Sequence, residues 1–232
     1  TRKESSAASD VYKRQGYVHG CREHRGVVAR LPQSDRSVTP GLSRGSLGTM
    51  STAQNQPQNE SQTPRFAAID CGTNSIRLLI SERTPDGQIN ELNRDNIIVR
   101  LGQGVDATGR FADEALQRVD KALQIYADRM VEYSVVDVMM GATSATRDAA
   151  NREEFFDITR RHLGRVLEGA VAQVISGEQE AELSFRGAIT DLPDAQDRTV
   201  CVIDLGGGST EFVVHGPGRE TQAFSADMGC VR

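Results

Sequence analysis

Two stretches share an unusual arrangement of an aspartate, glycines and hydroxyls. Cys201 to Phe212 reads CVIDLGGGSTEF: an apolar run into Asp204, then Gly206, Gly207, Gly208, Ser209 and Glu211. Ala67 to Leu78 reads AAIDCGTNSIRL, with Asp70, Gly72, Thr73, Asn74 and Ser75 in matching places, 134 residues earlier. Glycine forgoes packing and costs backbone entropy in a strand, so three in a row call for a close neighbour. Exposed amides in such a turn form a concavity suited to phosphate oxygens, and glycine lets the ligand approach. A carboxylate beside that concavity repels phosphate unless a divalent cation lies between them. Mg²⁺ suits that place, because it favours one or two carboxylates plus substrate oxygens. A single copy is explained by a strand-ending turn; two copies with one spacing point to phosphate held between two lobes.

Other residues add hydrolytic chemistry. In Ser176-Gly-Glu-Gln-Glu-Ala181, Ser176 and Gln179 form a capping box and Glu178 suits the helix dipole. Glu180 has neither task. It is either a solvated side chain or a general base that orients water toward phosphorus. Glu182 belongs to the solvent face. In Thr143-Ser-Ala-Thr-Arg147-Asp148, hydroxyls and an arginine sit at a strand-to-helix junction, where a forked guanidinium suits a phosphate chain. A surface ion pair explains Arg147 equally well. The histidines show no triad or metal spacing, and His162 and His215 read as surface residues. No P-loop and no dinucleotide-binding glycine motif occurs.

The elements that must position these residues follow from periodicity. Strands are expected over Phe66–Cys71, Ile76–Ser81 and through Ile97-Ile98-Val99, with a turn at Pro85-Asp86-Gly87. LGQGVDATGR reads as a glycine-rich loop. Ala112–Glu132 is amphipathic, with Leu116, Val119, Leu123, Tyr126 and Met130 on one face. Val135–Met140 and Ala170–Ile175 are further strands. Asn151 and Glu154 suggest a capping box for a helix over 152–163, and a helix covers Gly177 to about Ile189. The polar stretch TDLPDAQDRT marks a lobe boundary. The alternation implies an α/β sheet with helices on its faces. The expected divisions are a non-native or disordered leader over 1–49, a polar linker over 50–64, a first lobe over 65–195 and the start of a second over 196–232.

Composition narrows the setting. The 232 residues are 38% hydrophobic and 25% charged, with no run long enough to span a membrane and no secretion signal. Residues 1–50 hold nine Lys/Arg against four Asp/Glu, while the other 182 carry 18 against 28. That acidic body argues against a nucleic-acid partner and for a local device that holds any anionic substrate. Cys21, Cys71, Cys201 and Cys230 show no metal-ligand spacing and read as reduced thiols of a cytoplasmic protein.

The segments AAIDCGTNSIRLLI, GATSATRDAANREEFF, VISGEQEAELSFRGA, VIDLGGGSTEFV and SADMGCVR occur in order between about Arg65 and Arg232. Together they resemble the exopolyphosphatase / guanosine pentaphosphate phosphohydrolase family, in an actinobacterial flavour. The resemblance implies an actin-like (ribonuclease H-like) lobe of mixed sheet with flanking helices, and a similar second lobe begun but C-terminally truncated. By motif, Asp70, Gly72, Thr73, Asn74 and Ser75 become the first phosphate loop, and Gly206, Gly207, Gly208 and Ser209 the second. Asp204 would hold Mg²⁺ (or Mn²⁺), with Asp70 helping through water and Glu211 a secondary candidate at metal or water. Arg147 would bind the phosphate chain, and Glu180 matches the family's catalytic glutamate. Many relatives carry two adjacent glutamates where this chain has Gln179-Glu180.

The implied activity is Mg²⁺-dependent release of terminal orthophosphate from inorganic polyphosphate, in the cytoplasm. Hydrolysis of guanosine pentaphosphate, a stringent-response nucleotide, is the alternative, since the motifs grip only phosphates. A polyphosphate-binding module without turnover is a third reading. A homodimer is left open for the full-length protein.

Overall fold

Phe66, Ala67, Ala68 and Ile69 are apolar toward both sides of a strand, which suits a position covered on both faces. Arg65–Cys71 (β2) accordingly lies at the centre of a five-stranded sheet. The computed structural model describes residues 63–190 and 192–231, with the backbone of a two-residue strand at Ala29–Arg30 (β1). Apart from these two residues and positions 63–64, the leader and linker read over 1–64 lie outside the described residues.

β2 pairs antiparallel with Ser75–Arg83 (β3), which pairs antiparallel with Ile89–Ile98 (β4). On its other side β2 runs parallel to Val135–Ala142 (β5), and β5 to Gln173–Val174 (β6). The order β4-β3-β2-β5-β6 is therefore a mixed sheet. Asp113–Glu132 (α2) buries all five residues of its expected apolar face. Tyr126 satisfies its hydroxyl there by donating to the Ile76 carbonyl at 2.8 Å. Arg152–Leu163 (α4) packs beside α2, and Phe155 meets Phe111 with ring centroids 6.0 Å apart. Fully burying such aromatic and aliphatic side chains contributes roughly 1.5–3 kcal/mol each.

A second sheet has the order β1-β7-β8-β9, with Val200–Leu205 (β7), Thr210–His215 (β8) and Gln222–Ala226 (β9) all antiparallel. One helix, Gly177–Ile189 (α5), serves both sheets. Its Ala181 and Phe185 pack on Val200, Val202 and Val213, while Leu183 packs against Phe66, Ala68 and Leu79 of the first sheet. The lobe boundary expected after residue 195 thus follows a helix that already covers the second sheet. No helix among the described residues is long and apolar enough to cross a membrane.

Several expectations need correction. The LGQGVDATGR loop contains a short helix, Val105–Thr108 (α1), bounded by Gly104 and Gly109 in the left-handed conformation. The strand expected over Ala170–Ile175 is cut to β6, because the Ala170 N–H donates to the Leu167 carbonyl and the Ala172 N–H to Thr159 Oγ1, which leaves Gln173 and Val174 to pair with β5. Asn151 occupies the N-cap position of α4, but its side chain makes no capping hydrogen bond. Its side chain instead accepts from the Phe111 N–H at 2.8 Å and donates to the Phe111 carbonyl and Glu154. His162 is buried rather than superficial, with Nε2 2.6 Å from Asp120 Oδ1. The α5 capping box is present: the Gln179 N–H donates to Ser176 Oγ, and Gln179 Oε1 accepts from the Ser176 N–H.

Candidate active site

The repeated sequence is a repeated structure. In the β2–β3 hairpin the Gly72 N–H donates to the Ser75 carbonyl at 3.0 Å; in the β7–β8 hairpin the Gly206 N–H donates to the Ser209 carbonyl at 2.9 Å. Asp70 stands opposite Arg77 across the first ladder, and Asp204 stands opposite Glu211 across the second. The two turns meet tip to tip and line one cleft with Glu180.

The glycines allow that meeting. A Cβ on Gly207 would lie 3.3 Å from Asn74, and one on Gly208 would lie 2.5 Å from Thr73 Oγ1 and 2.8 Å from Ser144 Oγ. Part of the answer to why three glycines occur together is therefore the other loop, not only a ligand. Both turns are also tied from behind. The Thr73 carbonyl accepts from Gly102, and the Asn74 carbonyl from Val99 and Arg100. The Gly206 and Gly207 carbonyls accept from Cys230 and Val231 at 3.1 and 3.0 Å. In a trans peptide the N–H points opposite to the C=O, so these ties fix the amides of Asn74, Ser75, Gly207 and Gly208 in the reverse direction.

α5 brings the candidate base. Ser176 stops the helix start at the rim, and Glu180 lies on the cleft wall while Glu178 and Glu182 remain exposed. Arg147, on Ser144–Asp148 (α3), donates from Nη1 to the Ile175 carbonyl and to Glu180 Oε2, both at 2.9 Å. It stands behind Glu180 and is not among the cleft-lining residues. The arginine on the wall is Arg77, with Nη1 3.4 Å from Asp70 Oδ2. Motif spacing singled out Arg147 and passed over Arg77. The strand alternation that places Arg77 beside Asp70 was the available signal.

The cleft carries more negative than positive charge. Burial first, then the carboxylate of Glu211, push Glu180 up to about 8, against the opposing pull of Arg147. Burial, with Asp204 adding to it, pushes Asp70 up to about 6 despite Arg77. Glu211 is also raised, mainly by burial, although Ser209 and Ser225 hydrogen bonds oppose the shift. Two hydroxyls brace the second pair of acids: Ser225 Oγ donates to Glu211 Oε1 at 2.9 Å, and Ser184 Oγ donates to Asp204 Oδ2.

The donor set fits a hard divalent cation of modest protein coordination. Asp70 has its arginine, whereas Asp204 faces another acid in the twin position. Among the described residues no three His, Cys, Asp or Glu side chains converge as a ready-made cage. Mg²⁺ does not require one, since it keeps waters and takes one or two carboxylates plus phosphate oxygens.

The chain is similar to several known proteins. A model of the Ppx/GppA phosphatase family matches residues 79–232. Exopolyphosphatase 2 of Mycobacterium tuberculosis is 53% identical over 171 residues, covering 72% of this chain and 53% of that protein. The crystal structure of an exopolyphosphatase-like protein superposes with a TM-score of 0.66 at 44% identity, covering 74% of this chain and 53% of the other. That of an exopolyphosphatase from Cytophaga hutchinsonii gives 0.63 at 32% identity, covering 71% and 51%. The chain thus spans about half the length of the relatives it matches. With a mixed sheet, flanking helices and a family match over most of its length, the chain belongs to the Ppx/GppA phosphatase family.

Proposed function

We propose that this cleft hydrolyses the terminal phosphoanhydride of inorganic polyphosphate and releases orthophosphate. The observation that carries the reading is Glu180, an acid on the cleft wall where the two Asp–Gly turns meet. The turn amides and the hydroxyls of Thr73, Ser75 and Ser209 bind phosphate oxygens. Arg77 offsets charge on the chain. In its ionised form Glu180 accepts the proton of the attacking water as the new O–P bond forms and the bridging P–O bond breaks. Arg147 holds the Glu180 carboxylate in place from behind. Asp204 and Glu211, with Asp70 acting through water, would hold Mg²⁺ or Mn²⁺, which supplies neutralisation of phosphate charge when bound.

Every recognition group named here addresses phosphate, so guanosine pentaphosphate is the competing substrate. Measuring both in one competition assay ranks them by kcat/KM. The test of the hydrolytic reading is Glu180→Gln in the full-length protein. Loss of a general base lowers kcat by roughly 10²–10⁴-fold, with polyphosphate binding retained. Undiminished phosphate release contradicts it. Binding of polyphosphate by a wild-type protein that releases no phosphate would instead make this a sensing module.

A further inference from the structure

Ser184 has a task that neither the motif pattern nor the family match assigns. It lies four residues after Glu180, so α5 presents both to the cleft while Ala181 and Phe185 face the second sheet. A buried serine in mid-helix ordinarily returns its hydroxyl to the carbonyl one turn back. Ser184 is buried, yet its hydroxyl donates to Asp204 Oδ2 on β7. Asp204 cannot take this service from its own ladder, because its neighbour there is Glu211, another acceptor. In the twin hairpin, Arg77 plays the donor to Asp70. The serine therefore supplies from a helix what the first hairpin obtains from a strand.

We infer that Ser184 is a positioning residue that holds one oxygen of Asp204, leaving the other oriented toward a divalent cation, and so links the helix of the base to the strand of the metal ligand. The inference rests on the proposed cation site at Asp204. A hydrogen bond from a neutral hydroxyl fixes a carboxylate without cancelling its charge, whereas an arginine there would compete with the cation. Outer-shell partners of this kind typically govern 10–100-fold of metal affinity.

The test titrates Mn²⁺ into the full-length protein by electron paramagnetic resonance, without substrate. Ser184→Ala is expected to weaken Mn²⁺ binding by about 10–100-fold and to raise the Mg²⁺ concentration for half-maximal phosphate release in parallel. Ser184→Thr and Ser184→Val form a near-isosteric pair that separates the hydroxyl from packing. The threonine variant should bind Mn²⁺ at least about tenfold more tightly than the valine. Equal affinities in that pair, or an alanine variant within about twofold of wild type, overturn the inference. A wild-type protein that binds no Mn²⁺ overturns it as well. If wild type releases no phosphate but Mn²⁺ affinity still follows the hydroxyl, the hydrolytic reading falls and the positioning role stands.

Discussion

Arg147 and Glu180 show how far residue types alone can be taken. Sequence placed an arginine and a glutamate at the right junctions, but only the structure shows that the arginine serves the glutamate. That pairing changes what a substitution should do. Arg147 lowers the proton affinity of Glu180, so Arg147→Ala should move the acidic limb of the pH–rate profile upward by about one to three units. A profile whose limb stays fixed while KM rises would instead make Arg147 a phosphate ligand. A second prediction concerns stability without metal. The unfolded chain ionises Glu180 near 4.5, whereas the folded chain keeps the proton until about 8. Between those values the folded state binds more protons, so stability falls as pH rises, and the cost is fully present above about 8. Glu180→Gln lacks that cost. In chelator, its melting temperature should gain on wild type by several degrees between pH 5 and 9, and a gap that stays constant contradicts the assignment.

At the scale of elements, the hairpins and the long helix were legible because their signals are local. Short apolar runs, the Pro85-Asp86-Gly87 turn and the α2 stripe need no distant partner to be read. The misses came from tertiary competition. Asn151 has the composition of a cap, but the Phe111 backbone takes its amide group. β6 has the composition of a longer strand, but the Leu167 carbonyl and the Thr159 hydroxyl take the amides of Ala170 and Ala172. The glycines of the second turn were read as room for phosphate, and they also make room for Thr73 and Ser144. Gly208→Ala should therefore destabilise the protein by about 1–3 kcal/mol through overpacking. Thr73→Ala in the same chain should recover part of that loss, with a coupling of at least about 0.5 kcal/mol in a thermal-denaturation cycle. Strict additivity would mean the two loops do not press on each other.

At the scale of the molecule, the internal echo was the most informative sequence signal, since 134 residues separate Asp70 from Asp204 and one cleft joins them. What the motif pattern passed over was the asymmetry between the twins, although Arg77 and Glu211 each stand seven residues after their aspartate. The first hairpin sets Arg77 against its aspartate, and the second sets Glu211 against its own. Under the proposed function, that difference would set anion recognition on one side of the cleft and cation recognition on the other, with α5 shared between the sheets. The central claim is water attack on a terminal phosphorus, assisted by Glu180. It is tested most directly by phosphate release from polyphosphate in ¹⁸O-labelled water, using full-length wild type and Glu180→Gln with Mg²⁺. The account predicts one ¹⁸O in each orthophosphate freed by wild type, and release slowed by roughly 10²–10⁴-fold in the variant. Unlabelled orthophosphate, or a variant as fast as wild type, would contradict it.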